Sequence, residues 1–136
     1  MAKKKTWLDK LNEPKEPKIK QIDIDFADIP AGSTMFIATP QLINQYLNQT
    51  EPGRQIDIKT MRKDLAIEHN ASHTCPVSTG IFLRIVAEAN FEKLQQGESQ
   101  DAITPFWRAI QPNSALAKKL TFGQDFLKEQ IEKEQK

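Results

Sequence analysis

The sequence predicts a mainly α-helical fold with a small β component, and two observations carry this prediction. Apolar residues recur at the spacing of one helix face in three stretches, 40–50, 58–69 and 78–96. One short apolar run, "STMFIAT" at 33–39, is typical of a buried strand. Turn residues in "EPGR", at 51–54, and Gly97 separate the helical stretches.

The first helix is predicted directly after the strand. Thr39 is a good N-cap and Pro40 suits the first helical position. The segment that follows, "PQLINQYLNQT", places its apolar residues on one side of a helix. The strand and this helix therefore form one predicted unit of the core.

Two further helices follow, joined by the short polar link "NASHTCPV". Asp57 is the predicted N-cap of the first, "IKTMRKDLAIEH", and Ser78 or Thr79 is the predicted N-cap of the second, "STGIFLRIVAEANFEKLQQG". Such a pair has the outline of a helix-turn-helix. The pattern alone does not distinguish this outline from that of other small helical proteins.

The distribution of charged residues suggests how the chain divides into an arm, a domain and a C-terminal helix. Segment 3–20 carries seven lysines and two prolines, so we expect 1–30 to be a flexible, partly disordered basic arm. The alternative is that Trp7, Leu8 and Leu11 form one apolar face that docks on the body or on a partner. The domain itself is expected at 31–122. A C-terminal helix is expected at 123–136, with its last charged turn frayed.

Composition excludes several classes of function. The formal net charge of +1 gives the whole chain little attraction for nucleic acid or an anionic membrane. No apolar run approaches a membrane span, and "MAKKKTW" lacks the apolar stretch of a secretion signal, so we expect a cytoplasmic protein that does not enter membranes. We expect no cofactor, no metal and no small-molecule substrate.

Cys75, the single cysteine, lies close to two histidines, His69 and His73. A structural zinc site needs four ligands, and the sequence supplies neither a second cysteine nor a later histidine. A thiol enzyme with Cys75 as nucleophile and His73 as base is the other chemical hypothesis. A half-buried structural thiol is the interpretation that we favour.

Basic and hydroxyl side chains gather on the predicted helix pair. Ser78, Thr79 and Gly80 stand at a helix start, where backbone N–H groups hold phosphate. A plain helix cap is the alternative for the two hydroxyls, and a solvated face is the alternative for the cations. The candidate phosphate-binding cations are Lys59, Arg62, Lys63 and Arg84.

Three segments, "GRQIDIKTMRKDLA", "CPVSTGIFLRIVAEAN" and "ITPFWRAI", together resemble the DNA-binding half of the alkylguanine-DNA alkyltransferases and the alkyltransferase-like proteins. The resemblance covers about 53–120. It implies a winged helix-turn-helix-like domain, whose second helix is the recognition helix on duplex DNA, and a pocket that receives a flipped base. The pocket residues implied here are Pro105, Phe106, Trp107 and Arg108.

Matching the family motifs residue by residue removes the family's chemistry. Phe106 stands where the family has its alkyl-accepting cysteine and Trp107 where it has a histidine, so alkyl transfer at this position is excluded. Ile58 replaces the pocket tyrosine, and Gly80 replaces the arginine that enters the base stack. The rings of Phe106 and Trp107 either stack on a base or fill the vacated pocket as core.

The resemblance therefore implies a non-enzymatic DNA-binding protein of the alkyltransferase-like type, which recognises alkylated or distorted DNA. Duplex DNA is the expected partner, together with a repair or regulatory protein. The alternative is a protein-interaction module that keeps the fold without binding nucleic acid.

Overall fold

The computed structural model describes residues 5–135, and these residues form six α-helices and one three-stranded sheet. The helices are α1 (Trp7–Asn12), α2 (Pro40–Asn48), α3 (Ile58–Glu68), α4 (Pro76–Gln95), α5 (Ala115–Lys119) and α6 (Asp125–Glu134). The strands are β1 (Lys18–Gln21), β2 (Thr34–Ile37) and β3 (His73–Thr74). Two 3-10 turns, Gln100–Ala102 and Phe106–Arg108, connect α4 to α5. The predicted mainly helical class with a small sheet is confirmed.

The sheet has the order β1-β2-β3, with β1 antiparallel and β3 parallel to β2. The β2 strand is the predicted "STMFIAT" strand, and its Phe36 is almost completely buried. All three strands precede α4, and 96–135 contains no strand. The winged arrangement is accordingly not confirmed, because these strands do not follow the predicted recognition helix.

The caps of α2 and α3 are those that the sequence predicts. The Thr39 hydroxyl accepts a hydrogen bond from the Leu42 N–H at 3.2 Å, and Pro40 occupies the first turn of α2. The Asp57 carboxylate accepts from the Thr60 N–H at 2.8 Å and begins α3. Each cap satisfies an N–H that the helix itself leaves without a partner.

The start of α4 differs from the prediction, since Cys75 rather than Ser78 or Thr79 is the N-cap. Pro76 occupies the first turn, where a fixed φ and a missing N–H cost nothing. The Cys75 sulfur accepts the Ser78 N–H at 3.5 Å. The sequence interpretation missed this start because a cysteine is an uncommon cap.

The long helix α4 forms the centre of the protein, and most of its length is buried. Its completely buried apolar residues are Leu83, Val86, Ala87 and Ala89. Asn90 is completely buried and fully bonded: its amide nitrogen donates to the Val86 carbonyl at 2.8 Å, and its amide oxygen accepts the Thr104 N–H at 3.0 Å. Only the first two turns of α4 show apolar side chains to solvent.

The expected flexible arm is corrected for the part of 1–30 that the structure describes. The Glu92 carboxylate accepts the Trp7 and Leu8 N–H groups at 2.9 and 3.2 Å, and so holds the start of α1 against α4. Leu11 is buried in the core, and β1 pairs along its length with β2. The docking alternative therefore describes this segment. Residues 1–4 of the predicted arm lie outside the described residues.

The end of the predicted C-terminal helix is bonded to the turn at Gly53, and Lys136, the last residue of the turn predicted to fray, lies outside the described residues. The Glu134 carboxylate accepts the Gly53 N–H at 3.2 Å, and the Gln135 amide donates to the Gly53 carbonyl at 2.9 Å. Gly53 has a φ of +82°, and a Cβ there would lie 3.1 Å from the Glu134 carbonyl oxygen. A glycine therefore lets the "EPGR" turn and the end of α6 approach each other.

No helix within 5–135 is long and apolar enough to cross a membrane.

Candidate nucleic-acid interface

The predicted DNA-binding residues divide among three places on the structure. Lys59, Arg62 and Lys63 line a hollow between α3 and β3. Ser78 and Thr79 lie within the first turn of α4. Gly80 and Arg84 line a separate groove on the other side of that helix start.

The first place, which we name the basic hollow, has a volume of about 330 Å³. Its lining residues are Asp28, Lys59, Arg62, Lys63, Ser72, His73 and Thr74. Lys59 and Lys63 are exposed, because α3 turns its apolar residues Met61 and Leu65 toward the core. Both ammonium groups are thus accessible to an anion.

Arg62 is much less available than its two lysine neighbours. Its guanidinium donates to both Asp28 carboxylate oxygens, at 2.9 and 2.8 Å, and to the Thr74 carbonyl at 3.0 Å. The Thr74 hydroxyl donates back to the Arg62 carbonyl at 2.7 Å. Arg62 thereby ties α3 to β3 and to the loop before β2, which makes it a structural cross-link first.

The Asp28 carboxyl is strongly perturbed by this contact. The hydrogen bonds from Arg62 lower the pKa of Asp28 from 3.8 to about 2, although burial acts in the opposite direction. At neutral pH the carboxylate is fully charged and offsets the charge of Arg62 within the basic hollow. The two lysines thus supply most of its positive potential.

The hydroxyls at the start of α4 do not face solvent in the way a phosphate site requires. Thr79 is completely buried, and its hydroxyl donates to the Cys75 carbonyl at 2.6 Å. The Ser78 hydroxyl oxygen is also buried and has no hydrogen-bond partner among the described residues. The helix-cap alternative is wrong in detail as well, because both residues follow the cap.

The third place is a groove that we name the α4 groove. Its floor is the first half of α4, and α1 and α5 form its walls. Its volume is about 750 Å³. The residues that line it are Trp7, Lys10, Ile58, Val77, Gly80, Ile81, Arg84, Ile85, Ser114, Ala115, Leu116 and Lys119.

The predicted base-pocket residues lie in the core. Phe106 is completely buried and Trp107 almost so, and their rings meet edge to face with centroids 5.4 Å apart. Phe126 stacks on Phe106 at 5.8 Å, and Phe91 and Phe122 complete the cluster. Of the two alternatives for these rings, this geometry favours core packing over an open pocket for a base.

Arg108 is buried beside this cluster and has all of its contacts within the protein. Its guanidinium donates to the Glu134 carboxylate at 2.7 Å and to the Thr50 carbonyl at 2.8 Å. Burial raises the pKa of Glu134, but the hydrogen bonds from Arg108 and the Gly53 N–H outweigh it and lower the pKa below 4.5. Pro105 is half-buried at the start of the turn. Arg108 therefore locks α6 onto the core, and its burial leaves little of the guanidinium accessible to a base.

The histidine and cysteine cluster also resolves into structural contacts. Cys75 is buried at its cap position. The His69 ring stacks on Phe36 with centroids 4.2 Å apart. Within 5–135, no group of three or more His, Cys, Asp or Glu side chains is placed to hold a metal ion.

Sequence reasoning missed the acidic partners that set the availability of each arginine. Asp28, Glu88 and Glu134 lie 34, 4 and 26 residues from Arg62, Arg84 and Arg108. Only the Arg84–Glu88 pair has a readable signal, the i, i+4 spacing on one helix. The role of Trp7 as a groove wall was likewise hidden, because it depends on the docking of α1.

Comparisons with family models, with curated proteins and with solved structures give no match for this chain.

Proposed function

We propose that the protein is a non-enzymatic module that binds duplex DNA through the phosphates. The observation that carries the proposal is the basic hollow, where two exposed lysines of α3 and a cross-linked arginine surround the turn that leads into α4. The pair α3 and α4, joined through β3, is the helix-turn-helix of the proposal. The winged description and the alkyltransferase-like origin belong to the same proposal and rest on the sequence resemblance.

Burial of the pocket rings changes what kind of DNA recognition we propose. Base flipping needs a cavity that receives the base and offsets a few kcal/mol of unstacking. Phe106 and Trp107 fill that space, and Gly80 offers no side chain to enter the base stack. We therefore propose contact with the duplex backbone, with no preference for an alkylated guanine.

The expected affinity is modest and depends on salt. Each phosphate that a cation neutralises contributes about −0.9 to the slope of log K against log salt. With Lys59 and Lys63 as the main contacts, we expect a slope of about −2 to −3. Binding should thus resemble that of a non-specific binder, with Kd near 10⁻⁴ to 10⁻⁶ M at physiological salt.

Fluorescence anisotropy with a labelled duplex at several salt concentrations tests this proposal. The double variant Lys59→Ala/Lys63→Ala should weaken binding and flatten the slope by about 2. The matched control is Lys128→Ala/Lys133→Ala on α6, which removes the same charge from another element and should leave the slope unchanged. No binding below about 100 μM at low salt would refute DNA binding.

A parallel titration with an alkylguanine duplex tests the mode of recognition. Equal affinities for the plain and alkylated duplexes are expected. A tenfold preference for the alkylated duplex would instead require that the ring cluster open to admit a base.

A second candidate function, a protein-interaction module, is favoured by one separate observation. The α4 groove is lined mainly by apolar side chains, and it is larger than the basic hollow.

A further inference from the structure

The floor of the α4 groove carries two exposed apolar side chains at its N-terminal end. Val77 and Ile81 are four residues apart on α4, and each is 55% exposed. Arg84 and Ile85 continue the same stripe one turn further along. The spacing i, i+4, i+7 is the one by which two helices pack side by side.

The two walls of the groove stand apart, so the α4 surface between them is accessible. Trp7 of α1 stands on one side, and Ala115 and Leu116 of α5 stand on the other. Two of these wall residues, Trp7 and Leu116, are also packed partly against the main core. The walls are therefore held in place by contacts outside the groove, so the groove does not depend on a ligand for its shape.

The charges at the groove are all of one sign. Its lining includes Lys10, Arg84 and Lys119 and contains no carboxylate. The Trp7 ring holds two of these cations, with the Lys10 ammonium 4.3 Å and the Arg84 guanidinium carbon 5.2 Å from the ring centroid. In a chain whose net charge is only +1, this concentration favours an acidic ligand.

Arg84 retains bonding capacity for such a ligand. Its Nε–H is buried and makes no hydrogen bond among the described residues, and the nearest carboxylate oxygen, on Glu88, lies 3.5 Å away. The Glu88 carboxylate is already bonded to the N–H and hydroxyl of Thr121. The Arg84 side chain is 32% exposed, so a carboxylate that enters the groove would pair with the two terminal guanidinium nitrogens rather than with the buried Nε.

From these features we infer that the α4 groove binds an acidic amphipathic helix of a partner protein. Apolar side chains of that helix, at i, i+3 or i+4, and i+7, contact Val77, Ile81 and Leu116. Its carboxylates pair with Lys10, Arg84 and Lys119. This is the helix-in-groove mode of peptide recognition, and it does not depend on the proposed binding of DNA.

The apolar lining distinguishes this occupant from DNA. Protein–DNA interfaces are more polar and more positively charged than protein–protein interfaces. The two most exposed side chains on the groove floor, Val77 and Ile81, offer DNA neither a charge nor a hydrogen bond. The lysines that suit phosphates best, Lys59 and Lys63, line the basic hollow instead.

Selection from a random 16-residue peptide library displayed on phage, with the full chain as target, tests the inference. We expect enrichment of sequences with apolar residues at helical spacing and glutamate or aspartate between them. A selected peptide should bind Ile81→Asp at least about tenfold more weakly, because the new carboxylate would be buried beside apolar groups and acidic residues. Charge reversal by Lys10→Glu/Lys119→Glu should weaken the same peptide.

The matched control is Ile67→Asp, which places the same change on α3 at a residue that is 65% exposed and does not line the groove. Its affinity for the peptide should equal that of the unmodified protein. Circular dichroism melting checks that each variant folds, and Val77→Asp replaces Ile81→Asp if the latter does not.

Three outcomes would overturn the inference. The library could give no acidic amphipathic sequence, or the selected peptides could bind the groove variants as well as the control. In the third, the library yields no groove-dependent peptide and the Ile81→Asp variant loses affinity for duplex DNA, which would assign the groove to nucleic acid.

Discussion

The two halves of α4 each border a region rich in apolar side chains. One region is closed core, and the other is an open groove. Beside the C-terminal half, Phe91 belongs to an aromatic cluster that closes over Phe106 and Trp107. Beside the N-terminal half, Trp7 and Ile81 border an open groove. Apolar side chains alone therefore do not decide whether a region is core or binding surface.

The contacts of the arginine in each region show why one region is core and the other is an accessible surface. Arg108 is 9% exposed and donates to Glu134 at 2.7 Å and to the Thr50 carbonyl. Arg84 is 32% exposed, and within 5–135 it forms one ion pair, with Glu88 at 3.5 Å. A distant carboxylate on α6 satisfies the first arginine and closes its region, whereas the second keeps donors for a ligand.

Truncation of the closed region should have the largest effect. Phe106→Ala leaves a cavity among at least three rings and should lower the free energy of unfolding by about 3–5 kcal/mol. Urea unfolding measures the change. Val77→Ala, in the open groove, should stay within about 0.5 kcal/mol. Equal losses at the two positions would remove the distinction between closed and open regions.

Removal of the arginine in each region should also lower the free energy of unfolding by different amounts, with a smaller difference than between Phe106→Ala and Val77→Ala. Arg108→Met leaves the Glu134 carboxylate with little solvent and one hydrogen bond, at a cost of about 3 kcal/mol. Arg84→Met should cost less than Arg108→Met, because Thr121 still donates two hydrogen bonds to the buried Glu88 carboxylate.

A double-mutant cycle with Arg108→Met and Glu134→Met tests whether these two side chains stabilise each other. Replacement of both partners by apolar groups should recover part of the loss of the single variant. Additive losses in denaturant unfolding would contradict a direct Arg108–Glu134 coupling.

Acid should weaken the closed region through Glu134. Because its pKa is lowered in the folded protein, the unfolded chain binds the proton more readily, and stability falls as pH drops through and below 4.5. The Glu134→Gln variant should lose this part of the pH dependence. Its unfolding midpoint, measured between pH 7 and pH 3, should change less than that of the unmodified protein.

Asp28 should contribute a weaker dependence at lower pH. Its pKa is lowered from 3.8 to about 2, so its contribution is complete above about pH 4 and disappears between pH 4 and pH 2. The carboxylate is 54% exposed and screened by solvent, which limits the effect to less than about 1 kcal/mol. An Asp28→Asn variant with an unchanged acid profile would contradict this assignment.

The smallest effect on stability is expected in the groove. Ile81→Asp adds a charge at an exposed position and should change the free energy of unfolding by less than about 0.5 kcal/mol. The same substitution at Ile85, which is 9% exposed, should destabilise by several kcal/mol, because the charge would be buried. A large loss for Ile81→Asp would mean that the groove is part of the core.

Patterns over a few residues predicted those structural features that depend on residues close together in the sequence. Helical spacing indicated α2, α3 and most of α4, and Thr39 and Asp57 cap as their residue types favour. The N-cap of α4 was misplaced by three or four residues because Cys75 replaced a more usual cap. Among the predicted site residues, Lys59 and Lys63 are exposed as expected, since α3 is amphipathic.

The sequence by itself determined α2, α3, most of α4 and the strand β2, because side-chain chemistry and spacing of a few residues settle each of these. Only the tertiary structure decided that Phe106 and Trp107 are core and that α1 builds a groove wall. Glu134 reaches Arg108, and Glu92 reaches Trp7, across 26 and 85 residues. Contacts between such distant residues have no periodic trace, so the folded chain alone reveals which arginine is occupied and which apolar face stays open.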